Sequence, residues 1–156
     1  MAKATFGAGC FWGVELRFQQ VSGVTQTAVG YEGGSTEQPS YRDVCSDATG
    51  HAEVVEIDYD PAKVSYQRLL DLFFELHDPT QWNRQGPDWG TQYRSVVFFH
   101  SPEQETAAKE TIARLTAEKK FAKPIVTLVV PAQTFWRAED YHQKYLEKRG
   151  LASCHI

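Results

Sequence analysis

Short runs rich in apolar and β-forming residues, 4–8, 24–30, 52–59, 94–100 and 125–130, predict strands, with apolar–polar alternation clearest within 52–59. Between them the period lengthens. Phe11, Val14, Phe18 and Val21 recur at helical spacing and predict a helix over 11–21, and a second is expected over 65–77. The clearest helix spans 102–119, because Ser101-Pro102-Glu103 supplies an N-cap and a first-turn proline before Ala108, Ile112 and Leu115 mark one face. A last helix is expected over 138–148, with Gly150 ending it. Strands alternating with helices in a chain of 156 residues describe a single α/β or α+β domain, long enough to bury a core without disulfides.

Two stretches, Tyr31 to His51 and His77 to Arg94, follow neither period. Long irregular segments in a compact domain usually carry function. The second holds Trp82 and Trp89, and Trp12 lies at the first helix. These indoles either belong to a site or cover edges of the core.

Lys and Arg number 16 against 20 Asp and Glu, a net charge of −4 without a basic stripe, which makes a poor nucleic-acid surface. The five histidines and three cysteines form no CxxC, HxH, HxxxH or HExxH cluster, so no metal is expected. No apolar run approaches the roughly 20 residues needed to span a bilayer. The amino-terminal residues enter the first strand without a charged leader or apolar signal segment. A soluble, cytoplasmic protein with reduced thiols is the expectation.

One pentapeptide, Gly9-Cys10-Phe11-Trp12-Gly13, places a cysteine where a strand turns into a helix. The unpaired N–H groups and positive dipole end of a helix favour an anion, and so lower a thiol pKa from its free value of about 8.5. Gly7, Gly9 and Gly13 leave room for a substrate to approach, and Phe11 or Trp12 can wall an apolar pocket. The plain alternative is a buried, inert cysteine among core aromatics. A second anomaly lies on the strand 52–59, where Glu53 shares a face with Val55, Ile57 and Tyr59 while Glu56 and Asp58 take the other. Desolvation raises the pKa of a carboxyl on an apolar face, and such a group can hold a proton near neutral pH as a general acid. The same parity fits equally a strand-end residue whose carboxyl reaches water.

Four segments, GCFWG (9–13), GHAEVV (50–55), NRQGPDWGTQYRS (83–95) and AEDYHQKYL (138–146), together resemble the A class of peptide methionine sulfoxide reductases over nearly the whole chain. The resemblance implies a two-layer sandwich with a ferredoxin-like βαββαβ core, extra strands and long loops. It also implies one catalytic domain over 1–156 that reduces the S epimer of methionine sulfoxide, free or in proteins. Electrons would come from thioredoxin, with no cofactor, and a monomer is expected.

Carried onto this chain, the family's nucleophile is Cys10 and its proton donor Glu53. Tyr41 and Tyr93 correspond to phenols that hydrogen-bond the sulfoxide oxygen, and Asp88 to a carboxylate that orients substrate or water. Phe11 and Trp12 would hold the methyl group. The sulfenic acid left on Cys10 needs a resolving thiol, for which the resemblance points to Cys154 in a flexible tail, 149–156. That cysteine lies four residues beyond Gly150, a reach of about 13–14 Å when extended; the alternative is an ordinary terminal cysteine. The family gives the counterpart of Cys45 no general catalytic role, so Cys45 is read as structural. Trp89 fills a slot that varies among relatives and would either narrow substrate access or form a rim contact. Two rivals remain from the residues themselves. One is a papain-like hydrolase pairing Cys10 with His142, although the context Gly7-Ala8-Gly9 departs from that signature. The other is a binding module using the tryptophans and tyrosines as a stacking surface, which leaves Cys10, Glu53 and Cys154 without a joint purpose.

Overall fold

The structure, a computed structural model, describes residues 2–46 and 49–144. In chain order its elements are β1 (Ala2–Ala8), α1 (Phe11–Gln19), β2 (Val24–Glu32), α2 (Tyr41–Cys45), β3 (Ala52–Tyr59), α3 (Tyr66–Glu75), β4 (Arg84–Gln85) and β5 (Asp88–Trp89), followed by β6 (Ser95–Phe99), α4 (Pro102–Ala117), β7 (Leu128–Pro131) and β8 (Trp136–Arg137). Single 3-10 turns lie at Thr91–Tyr93 and Asp140–His142. Six strands form one sheet in the order β7-β6-β1-β3-β2-β8. Its centre, β6-β1-β3-β2, is antiparallel throughout, whereas β7 joins β6 in parallel. Read with α1 and α3, this is the βαββαβ core expected from the family resemblance.

Strand alternation sorts the sheet into two faces. Phe6, Val29, Val55, Ile57 and Val97 point to one side, where α1, α3 and α4 bury Phe18, Leu69, Phe73 and Ala108 against them. Phe6 stacks between Phe18 and Phe73, with ring centroids 5.4 and 5.0 Å away. The opposite face carries Val54, Val96 and Phe98 under a thinner cover from Leu128, Val130 and Phe135. Serines start α3 and α4: Ser65 accepts from the Arg68 amide and Ser101 from the Gln104 amide, with Pro102 in the first turn of α4.

Strand and helix expectations over 4–119 hold with shifts of a few residues at the ends, but three regions differ. The stretch 31–51 contains α2, closed by a capping box in which Ser40 and Asp43 each accept the other's amide. In the second region, the helix expected over 138–148 is absent from its described part. Lys144 has φ +52, and this segment makes one 3-10 turn on itself, at Asp140–His142, while its remaining hydrogen bonds reach out to β2 and α1. Ala138 N–H donates to the Val29 carbonyl (2.9 Å), the Gln143 amide brackets Val29 N–H and C=O (2.9 and 2.8 Å), and Lys144 N–H donates to Glu15 (2.7 Å). Strand 125–130 begins only at Leu128, because Val126 N–H is taken by the Pro79 carbonyl.

Two buried ionisable groups give stability opposite pH slopes. Burial pushes the Glu32 carboxyl up to about 7, partly offset by the Gln133 N–H that it accepts. Burial pushes His77 down to about 4, with the Phe73 carbonyl and Asp78 opposing. Glu32 therefore favours the native state most below the ordinary carboxyl range, a contribution lost as pH rises through about 7. His77 acts in the other sense, favouring the native state above its ordinary range and losing that contribution as pH falls toward 4. Glu32→Gln keeps the acceptor for Gln133 and removes one slope. Urea unfolding of this variant should show stability rising from pH 4 to pH 7 more steeply than in wild type, and identical slopes would rule out the Glu32 contribution.

Candidate active site

Gly9 turns the chain out of β1 at φ +93, and a Cβ there would lie 2.8 Å from both Cβ and Cγ of Gln85. Glycine is therefore required by both backbone and space. The turn delivers Cys10 to the N-cap of α1, partly exposed. The first N–H groups of a helix have no acceptor within it. Here the amide of Phe11 donates to Glu53 Oε1 at 3.3 Å, so a carboxyl only 1% exposed sits beside the residue that follows Cys10. Strand parity is compatible with either burial or water for Glu53, and the fold buries it.

Three tyrosines gather around that carboxyl from different elements. Tyr31 stands directly opposite Glu53 in the β2–β3 register. Tyr41 opens α2, and Tyr93 ends the 3-10 turn after β5. Tyr41 interacts electrostatically with both the Cys45 thiol and the Tyr93 hydroxyl. Burial pushes the Tyr41 phenol well above its ordinary range, reinforced by its interaction with Cys45 and the charge of Glu53. Burial does the same to Tyr93, with Glu53 next in weight. Both hydroxyls thus remain O–H donors through neutral pH. Burial also raises the Cys45 thiol, against the opposing interaction with Tyr41. Tyr31, Tyr41, Tyr93 and Cys45 all feel the Glu53 charge, which places them around one centre.

The β4–β5 hairpin braces this centre from below. Gln85 Oε1 accepts from Asp78 N–H (3.0 Å) and its Nε2 donates to the Asp78 carbonyl (2.9 Å), fixing the side chain that abuts Gly9. Gln85 pairs with Asp88, so Asp88 shares the inner face, within electrostatic reach of Tyr93. Trp89 pairs with Arg84 on the outer face. Its ring is 66% exposed, with the guanidinium 3.9 Å from the centroid. Trp89 therefore points away from Cys10 rather than across its approach. Trp82, 60% exposed, lines an open groove of about 720 Å³ with Arg84, Phe121 and Lys123 on that outer side. Neither indole covers the core.

Segment 138–144 closes the far side. Glu139 Oε1 accepts from the Tyr31 hydroxyl (3.1 Å) and its Oε2 from Tyr41 N–H (3.0 Å). Burial works to raise the Glu139 pKa, but its hydrogen bonds from the Tyr41 and Glu139 amides and from Tyr31 outweigh it and hold the carboxyl below its ordinary range. His142 Nδ1 is engaged by Trp12 Nε1 at 2.9 Å. Phe11 packs in the core against Tyr31, Tyr41 and His142, whereas Trp12 is half-buried. Cys154 lies outside the described residues. Glu139, Tyr31 and Gln85 carry no signal in the sequence that marks them for this site. Ser40-x-x-Asp43 is the one local signal that would have placed α2, and with it Tyr41, on a helix.

Among the described residues no helix is long and apolar enough to cross a membrane. The family described as peptide methionine sulfoxide reductase matches residues 2–156. A peptide methionine sulfoxide reductase MsrA of Acidobacterium capsulatum is 71% identical over 156 residues, covering 100% of both chains. Another, of Geobacter sulfurreducens, is 60% identical over 154 residues, 99% of this chain and 95% of its own. Among solved structures, reduced Mxr1 from Saccharomyces cerevisiae aligns with a TM-score of 0.89 at 36% identity, covering 96% of this chain and 86% of that one. Methionine sulfoxide reductase A of Corynebacterium diphtheriae aligns at 0.84 and 39%, covering 98% and 77%. The hydrolase and binding-module readings fall with these matches: full-length identity and the fold built around Cys10 and Glu53 agree that this chain belongs to the peptide methionine sulfoxide reductase family.

Proposed function

We propose that this chain, as one catalytic domain over 1–156, reduces the S epimer of methionine sulfoxide, peptidyl and free, through Cys10. The observation that carries the reading is Glu53, buried at the first amide of the Cys10 helix and ringed by Tyr31, Tyr41 and Tyr93. A sulfoxide oxygen leaves sulfur only when it gains protons. The Cys10 thiolate attacks the sulfoxide sulfur while Glu53, in its protonated form, delivers a proton to the oxygen. Tyr41 and Tyr93 hydrogen-bond that oxygen as charge builds on it, in a site where burial keeps both phenols protonated. Asp88 orients substrate or water from the inner face of the β4–β5 hairpin. Phe11 and Trp12 hold the methyl group.

The protonated oxygen then passes from the substrate sulfur to the Cys10 sulfur: the substrate S–O bond and the transient S–S bond break, a Cys10 S–O bond forms, and the thioether leaves with Cys10 as a sulfenic acid. The Cys154 thiol attacks that sulfur and releases water, so that two thiols have lost two electrons to one sulfoxide. The Cys10–Cys154 disulfide is reduced by the dithiol of thioredoxin. Mxr1 from Saccharomyces cerevisiae has been crystallised with Trx2, in a structure that aligns here at 24% identity. Cys45 stays outside the relay, as a structural thiol on Tyr41. The protein works as a soluble cytoplasmic monomer repairing oxidised proteins.

Separate S and R epimers of a methionine sulfoxide derivative, offered with dithiothreitol, should show loss of the S epimer alone by chromatography. No reduction of either by folded protein with Cys10 reduced would overturn the assignment. Glu53→Gln should lower the single-turnover rate by about 10²–10⁴-fold while Cys10 remains open to alkylation, and a wild-type rate across the pH range would remove Glu53 as the acid. Cys154→Ser should still yield one equivalent of thioether, leave a sulfenic acid on Cys10 that dimedone traps, and lose thioredoxin-dependent turnover. Sustained turnover with thioredoxin would assign resolution elsewhere.

A further inference from the structure

A buried histidine beneath the methyl-binding indole has no part in the proton and electron transfers above. The imidazole of His142 is 1% exposed and, among the described residues, lies against the rings of Tyr141, Tyr41, Phe11 and Trp12, with centroids at 4.1, 4.5, 5.2 and 5.6 Å. Its one described hydrogen bond is to Trp12, Nε1 to Nδ1 at 2.9 Å. An indole nitrogen can only donate, so Nδ1 must accept and the ring proton must reside on Nε2. Burial favours this neutral ring by lowering the His142 pKa, against the pull of Glu139.

The backbone that carries His142 is tied down on both sides of it. Glu139 is held by Tyr31 and Tyr41, Gln143 by both backbone groups of Val29, and Lys144 by the buried Glu15. Glu15 is itself held by Thr27 at 2.8 Å. Trp12 sits on the first turn of α1, where an indole has several rotamers open to it. Its indole N–H is engaged by the imidazole of His142.

We propose that His142 is a positioning residue for substrate binding: its Nδ1 fixes the Trp12 indole so that the wall receiving the sulfoxide methyl group is formed before substrate arrives. This rests on the sulfoxide reductase reading given above. A wall already in place removes an ordering cost from binding, so loss of the anchor weakens sulfoxide affinity more than it slows the chemical step.

The decisive comparison uses three variants of the full chain. His142→Phe keeps an aromatic ring without an acceptor, His142→Asn places Oδ1 near the position of Nδ1, and His142→Gln places its acceptor nearer Nε2. For His142→Phe, KM for the S sulfoxide should rise about three- to tenfold, the range for one lost hydrogen bond, with kcat within about twofold. The Trp12 indole N–H proton resonance, assigned with Trp12→Phe, should move upfield. His142→Asn should recover both values and His142→Gln neither. Wild-type KM and an unshifted resonance in His142→Phe would overturn the proposal. So would His142→Asn as impaired as His142→Gln, since packing alone would then explain the loss, and this pair decides the matter if His142→Phe does not fold. Wild-type protein that reduces neither epimer would instead overturn the reaction, while the indole resonance still tests the Trp12 anchor.

Discussion

Burial of the Glu53 carboxyl against the opening amide of α1 sets the terms for everything around Cys10. A helix N-terminus is a place where negative charge is stabilised, and this one serves two acidic groups at once. The Phe11 amide is committed to Glu53 while Cys10 occupies the N-cap beside it. The helix end thus brings a thiol and a buried carboxyl together at the same pair of residues.

The surrounding framework keeps this pair apart from the rest of the polar surface. Tyr31, Tyr41 and Tyr93 arrive from β2, α2 and the 3-10 turn after β5, and their phenols stay protonated because the same burial that acts on Glu53 acts on them. Gln85 braces Gly9 from one side, with its amide closed onto the backbone of Asp78. Segment 138–144 braces the other, strapped to Val29 and Glu15 on either side of its 3-10 turn. Glu139 joins the two halves by accepting from both Tyr31 and Tyr41. The outer side of the β4–β5 hairpin, with Trp82, Arg84 and Trp89, is a separate surface.

Local pattern was a good guide wherever an element pairs mainly with its own neighbours in sequence. The strand 52–59 is found with the same bounds, and its alternation predicted that Glu53 would share a face with Val55 and Ile57. Ser101 and Pro102 start α4 as their chemistry requires. The pattern misled over 138–148, where apolar and polar residues recur as in a helix. Val29 and Glu15, distant in sequence, offered this backbone better partners than its own fourth neighbour. It was silent for Tyr41, since α2 is a five-residue helix set by one capping box rather than by a repeat.

By itself the sequence determined the order of strands and helices, the placing of Cys10 at a strand-to-helix turn, the unusual parity of Glu53, and, through four motifs, the family. These are properties of spacing, which backbone geometry converts directly into faces and ends. Only the tertiary structure decided that Glu53 is buried rather than wet, that Trp89 and Asp88 take opposite faces of the β4–β5 hairpin, and that His142 pairs with the Trp12 indole. Each of those outcomes depends on which distant segment supplies a hydrogen-bond partner or excludes water. Such partners are chosen by the folded chain as a whole, and spacing along it does not encode them.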